Sequence, residues 1–133
     1  MIIAKKSLGQ NFLVDKNVLE KIVSTTEIKN KIILEVGAGT GNLTSYILKK
    51  TPKKIFVVEK DKRLVEILKN NFNDQIVIID DDILNIKESS LSQEKVTVFG
   101  NLPYNISTEI LSKWIINLKE DVWFDQLILM FQK

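Results

Sequence analysis

Five apolar runs constrain this chain more than anything else in it. They are "KIILEVG" (31–37), "KIFVVEK" (54–60), "QIVIID" (75–80), "KVTVFGN" (95–101) and "FDQLILMF" (124–131). A strand with one wet face alternates apolar and polar residues. These runs are nearly continuous in Val, Ile, Leu and Phe, so both faces of each strand must be covered. Between them lie segments of helical spacing: "GNLTSYILKK" (41–50), "KRLVEILKNNF" (62–72) and "STEILSKWIINL" (107–118). A further helix follows Asp15, a natural N-cap, with apolar Val18, Leu19, Ile22 and Val23 on one face. Thr51-Pro52 stops one helix, Asn70-Asn71 lie near the end of the next, and Ser107 is positioned to cap the last. Strands alternating with helices predict an α/β fold, a doubly wound and mostly parallel sheet covered on both faces. With 133 residues the chain is about one domain long. Residues 1–14 read as an extended or loosely structured arm, and 15–133 as the domain.

In such sheets ligands bind beyond the carboxyl ends of the strands, where the strand order reverses. After the first strand, "EVGAGTGNLT" sets Gly37, Gly39 and Gly41 ahead of a helix. Glycine permits the tight turn, and the helix start offers unpaired N–H groups and a positive dipole end. The plain alternative is a structural strand-to-helix turn. After the second strand stands Glu59, 18 residues past Gly41, with Lys60 beside it. A carboxylate at this tip can accept hydrogen bonds from both ribose hydroxyls. The alternative is a surface carboxylate among lysines. After the third strand stands "IDDDIL". A cation site here lacks the further oxygen ligands or histidines it needs. Instead, Asp82 can accept from an adenine amino group while the Ile83 N–H meets a ring nitrogen. After the fourth strand stands "FGNLPYNIST", with Asn101-Leu102-Pro103-Tyr104 at its centre. Each of the four tips thus carries a group suited to a nucleotide.

Composition narrows the chemistry. The chain has no His and no Cys, so imidazole catalysis, thiol nucleophiles, disulfides and thiolate metal sites are excluded, and no metal is expected. Net charge is +2, with basic residues grouped at Lys5-Lys6, Lys49-Lys50, Lys53-Lys54 and Lys60, Lys62, Arg63. Such groups are commonly solvated helix faces; the sharper reading is a phosphate-facing surface. No window is apolar for long enough to span a membrane, and "MIIAKKSLGQNF" lacks a secretory apolar core.

The glycine spacing G-x-G-x-G differs from the dinucleotide fingerprint G-x-G-x-x-G, and about 90 residues follow it. With Glu35 ahead of the loop, these features favour S-adenosylmethionine over NAD and resemble the class I methyltransferase pattern. Methyl transfer is an in-line displacement at a sulfonium carbon and relies on alignment rather than acid–base power. An exocyclic base amine is a poor nucleophile because its lone pair is delocalised. Acceptors aimed at its hydrogens stabilise the charge that develops on it. The Asn101 side-chain carbonyl and the Leu102 backbone carbonyl are two such acceptors. Pro103 stiffens the turn, and the Tyr104 ring offers a stacking face worth about 1–3 kcal/mol per base. The bland reading of this stretch is a strand-ending turn with a core tyrosine.

"KKSLGQNFLVD", "ILEVGAGTGNLT", "VVEKD" and "FGNLPYNIST", in this order, resemble the ribosomal RNA adenine N6-dimethyltransferases, and "SLGQNFL" and "NLPYNIST" point to the small-subunit (16S) branch. The large-subunit macrolide-resistance methylases and mitochondrial transcription factor B relatives are similar but more distant. The resemblance implies a class I S-adenosylmethionine-dependent methyltransferase that dimethylates two adjacent adenines of small-subunit rRNA during ribosome biogenesis. Gln10, Asn11 and Leu13 would close over the cofactor, Gly37 and Gly39 flank its methionine part, and Glu59, with Lys60 beside it, hold the ribose. Asp82 and Ile83 would hold the adenine. Asn101 would touch both cofactor and target amine, Leu102 the amine, and Tyr104 the stacked target base. The implied partner is rRNA, bound by a cytoplasmic monomer with no membrane contact. The alternatives are a large-subunit methylase and a catalytically weak RNA-binding or transcription-factor relative. Family members continue past the equivalent of Phe131-Gln132-Lys133 with further strands, a second base-clamping aromatic and a small helical domain. On this comparison the chain is an N-terminal portion, truncated after the fifth strand, that binds cofactor and methylates weakly or not at all alone.

Overall fold

The computed structural model describes residues 2–4, 15–116 and 122–132, with side chains for 15–103, 105–116 and 122–130. All five expected strands form: β2 (Ile32–Val36), β3 (Lys54–Glu59), β4 (Val77–Asp80), β5 (Val96–Pro103) and β6 (Phe124–Gln132). A sixth, β1 (Ile2–Ala4), comes from the N-terminal arm and pairs with β6 at one edge of the sheet. Among the described residues the sheet thus has six strands, in the order β1-β6-β5-β2-β3-β4, with every pairing parallel. The helices are α1 (Lys16–Val23), α2 (Asn42–Lys49), α3 (Lys62–Phe72) and α4 (Tyr104–Ile116).

From β2 the chain steps through β3 to β4 in one direction, then returns to β5 and steps to β6 in the other. Right-handed crossovers require such a reversal to move the connections to the opposite face. The packing follows. One face of the sheet carries Ile33, Ile55, Val57 and Phe99 beneath α1, α2 and α3, through Ile22, Ile47 and Leu68. The other carries Leu34, Val36, Phe56, Val58 and Val98 against Ile110 and Trp114 of α4 and Ile83 and Ile86 of the β4–β5 connection. Each fully buried side chain of this size contributes roughly 1.5–3 kcal/mol. The alternation along β2 turns Glu35 to the same face as Ile33.

Local signals set the ends. Asp15 caps α1 as expected, its Oδ1 accepting from the Asn17 and Val18 N–H groups at 2.9 and 3.3 Å. Asp61 caps α3 by accepting from Arg63 N at 2.9 Å, and that bond holds its carboxyl below the usual value. The last helix differs from the expectation at Ser107. It starts at Tyr104, directly after β5, and Ser107 lies buried in its first turn. β2 pairs with β5 only as far as Val36 and Gly100, whereas β5 runs on to Pro103 beside β6 alone. Pro103 therefore ends a strand paired on one side, where a missing N–H is tolerated.

Glu35 is 1% exposed and accepts a 2.5 Å hydrogen bond from the Thr44 hydroxyl of α2. Burial pushes its carboxyl up to about 7 from 4.5, against the opposing effect of that bond. A raised folded-state value means the contribution is full below about pH 4.5 and is lost as pH rises through about 7. Over that window stability should fall by on the order of 3 kcal/mol. In urea unfolding at stepped pH, Glu35→Gln should remove this slope; an identical slope in the variant would contradict the buried carboxyl as its source.

Candidate active site

The sheet order places the switch point between β2 and β5, and the two strand ends meet there. Gly37, at φ +76°, lies so close to the next strand that a Cβ would sit 2.2 Å from the Asn101 carbonyl oxygen. Only glycine allows both the conformation and the contact. The loop continues through Gly39, where a Cβ would meet nothing within 4 Å, so the backbone stands open to the space above the sheet. Gly41 caps α2 at φ +94° with its Cα against the Phe72 ring of α3, where a Cβ would come within 2.3 Å. The loop is thus wedged between α3 and the tip of β5.

A cleft of about 280 Å³ opens over these tips. It gathers Gly37, Gly39, Glu59, Lys60, Asp82, Ile83, Asn101, Leu102 and Pro103, nine of the residues singled out from sequence. Gln10, Asn11 and Leu13, and the Tyr104 side chain, lie outside the described residues. The backbone of Tyr104 opens α4 immediately after the cleft-lining Pro103.

Sequence reasoning missed the apolar wall. Val36 and Val58, near the ends of their strands, face the α4 side, Leu64 comes from α3, and Ile106 and Ile110 come from α4. The signal was available in part, because Ile106 and Ile110 stand four apart on one helix face.

The polar groups are held by backbone. Glu59 Oε2 accepts from the N–H groups of Lys60 and Asp61 at 3.0 and 3.1 Å. Its other oxygen has no partner among the described residues. Asp82 caps a short 3₁₀ turn (Ile83–Asn85), Oδ1 accepting from Leu84 N at 3.0 Å, and its Oδ2 lies 3.8 Å from Lys60 Nζ. Ile83 is buried beside it. The cleft therefore has an apolar floor, carboxylates on the β3 and β4 side, and an amide and open backbone on the β2 and β5 side. That suits a ligand with one flat apolar part, two hydroxyls and a polar tail.

The basic groups are mostly paired at the surface: Lys50 with Glu20, Lys53 with Glu94, Lys62 with Asp80 and Arg63 with Asp61. Exposed pairs of this kind are screened by solvent and contribute little, and they fit the solvated-face reading of those groups. Among the described residues no cluster of three or more acidic, His or Cys side chains could hold a metal, and no helix is long and apolar enough to cross a membrane.

The family model for ribosomal RNA adenine dimethylase matches residues 1–133. The chain is 66% identical over 130 residues to ribosomal RNA small subunit methyltransferase A of Pelagibacter ubique, covering 98% of this chain and 50% of that protein. The protein of the same name from Mesomycoplasma hyopneumoniae is 44% identical over 131 residues, covering 98% and 48%. The chain thus spans about half the length of the curated relatives it matches. Among solved structures, a dimethyladenosine transferase from Plasmodium falciparum superposes with a TM-score of 0.73 at 28% identity, covering 90% of this chain and 42% of that one. The 23S rRNA methyltransferase ErmE superposes at 0.67 with 27% identity, covering 79% and 43%.

Gly37→Ala should cost at least about 2 kcal/mol, from the left-handed backbone and from the clash with a backbone oxygen that cannot rotate away. Thermal unfolding of the variant checks this, and an unchanged melting temperature would contradict the close approach.

Proposed function

The chain belongs to the ribosomal RNA adenine dimethylase family, and on that premise we propose that it serves S-adenosylmethionine-dependent N6-dimethylation of adjacent adenines in small-subunit rRNA. One observation carries the reading: four strand tips bring a glycine loop, a carboxylate, an Asp-Ile pair and the Asn-Leu-Pro motif into a single cleft. The residues fit the cofactor. The open backbone at Gly39 leaves room for its methionine part beside Gly37. Among the described residues nothing competes with ribose hydroxyls for the second Glu59 oxygen. Ile83, Leu64 and Ile110 supply apolar surface for adenine, with Asp82 at its amino edge. Lys60, with its Nζ 3.8 Å from Asp82, lines the cleft next to Glu59, the carboxylate assigned to the ribose. Gln10, Asn11 and Leu13 of the arm are assigned to cover the cofactor, and residues 15–133 to form its binding domain.

When bound, S-adenosylmethionine supplies an electrophilic methyl on a sulfonium. The chain's part is orientation. Asn101, which lines the cleft beside the glycine loop, directs its side-chain carbonyl at the target amine, and the Leu102 carbonyl accepts the amine's other hydrogen. Both acceptors stabilise positive charge as it builds on nitrogen. Pro103 fixes the turn into α4, and the Tyr104 ring stacks the flipped adenine. No residue has to act as a strong base, which suits a chain without histidine. The rRNA would be met by a cytoplasmic monomer, with Lys and Arg contacts to phosphate that weaken in salt.

Tritiated methyl transfer to unmethylated small-subunit rRNA, followed by nucleoside analysis, tests the assignment. Whatever label is transferred is expected in N6-methylated adenosines of that rRNA. Label only in large-subunit rRNA would move the chain to the macrolide-resistance type. Glu59→Gln should weaken cofactor binding by about tenfold or more, through loss of charge-assisted bonds. Tyr104→Ala should lower transfer with cofactor affinity nearly unchanged, and a large loss of affinity would contradict the stacking role.

A further inference from the structure

Behind the adenine side of the cleft lies a polar cluster with no part in the roles above. Lys113 projects from α4, and its Nζ donates to the carbonyls of Ile83 at 2.7 Å and Ile86 at 2.5 Å and to Glu88 Oε2 at 3.0 Å. An ammonium has three hydrogens, and these three acceptors use them all. Glu88 is 5% exposed, and the same Oε2 also accepts from Trp114 Nε1 at 2.6 Å. Trp114 is fully buried and packs edge-on against Trp123, ring centres 5.6 Å apart.

The cluster joins two parts of the cleft. On one side is the irregular segment from Ile83 to Ser90, which follows Asp82 and contains two short 3₁₀ turns, Ile83–Asn85 and Glu88–Ser90. On the other is the helix that starts at Tyr104 and lines the cleft with Ile106 and Ile110. Apolar packing of Ile83 on Ile110 is non-directional and sets no register between them. Three hydrogen bonds from one charged atom do set a register. The Ile83 carbonyl that Lys113 holds belongs to the residue whose N–H is assigned to the adenine ring.

We propose that Lys113, with Glu88 as its counter-ion, is a positioning residue that fixes the 82–86 segment against α4 and so sets how strictly the cleft selects adenine. This rests on the adenine placement given under Proposed function. Without the ammonium, the Asp82 carboxylate and the Ile83 N–H lose their fixed height above the cleft floor. The cleft then still accepts a purine but discriminates less at its amino edge.

The test compares binding of S-adenosylhomocysteine and S-inosylhomocysteine by calorimetry in the whole chain. Inosine presents an oxygen where adenine presents the amino group, so the ratio of affinities reads the Asp82–Ile83 edge directly. Lys113→Met removes the three donors. Lys113→Met with Glu88→Gln also relieves the unpaired buried charge while keeping an acceptor for Trp114, so it separates positioning from folding cost. The wild type should prefer the adenosyl ligand, and the preference should fall at least about fivefold in the double variant. A lower melting temperature with an unchanged ratio in both variants would reduce Lys113 to a structural clamp and overturn the proposal. Failure of the wild type to bind either ligand would instead sink the adenine placement itself.

Discussion

The close approach of Gly37 to the carbonyl of Asn101 is the contact on which the rest of the site depends. It occurs where neighbouring β2 and β5 leave the sheet in opposite winding directions, and it leaves no space for a side chain. Because the two backbones touch, the loop that would flank a cofactor and the motif that would receive a base have a fixed separation. Gly41 against Phe72 holds the loop from behind, and the buried bond from Thr44 to Glu35 ties the first turn of α2 to β2. A methyl transfer gains most from alignment over short distances, so a rigid junction at the switch point is the element such a reaction needs.

Around that junction the chain separates its polar and apolar functions. Carboxylates and backbone carbonyls stand at strand tips, where regular structure positions them, and the surface under a flat ligand is aliphatic. The stronger charge pairing lies behind the cleft wall, in the Lys113–Glu88–Trp114 cluster, where removal from water makes geometry decisive. Exposed ion pairs elsewhere add little to either stability or the site.

Much of this was legible in the sequence, and the remainder was hidden for identifiable reasons. The five apolar runs announced the central strands, because strands buried on both faces have to be continuously apolar. Asp15 announced its helix, and the glycines announced their loop. The three-residue β1 carries too short a pattern to be read, and only its pairing with distant β6 defines it. Ser107 looked like a cap because a serine opens the segment of helical spacing. Here β5 passes directly into α4, so the helix starts three residues earlier, at Tyr104. Asp82 was read as a ligand group, yet it also caps the turn that carries Ile83, a dual use that spacing does not reveal. Lys113 and Glu88 lie 25 residues apart, and no sequence pattern links them.

The central claim is that the strand tips form one cleft built for an adenosine carrying an amino-acid tail. The most direct measurement is calorimetric titration of the chain with S-adenosylmethionine and, in parallel, with NAD. Saturable one-to-one binding of S-adenosylmethionine and none of NAD is expected. Saturable binding of NAD with no response to S-adenosylmethionine would contradict it.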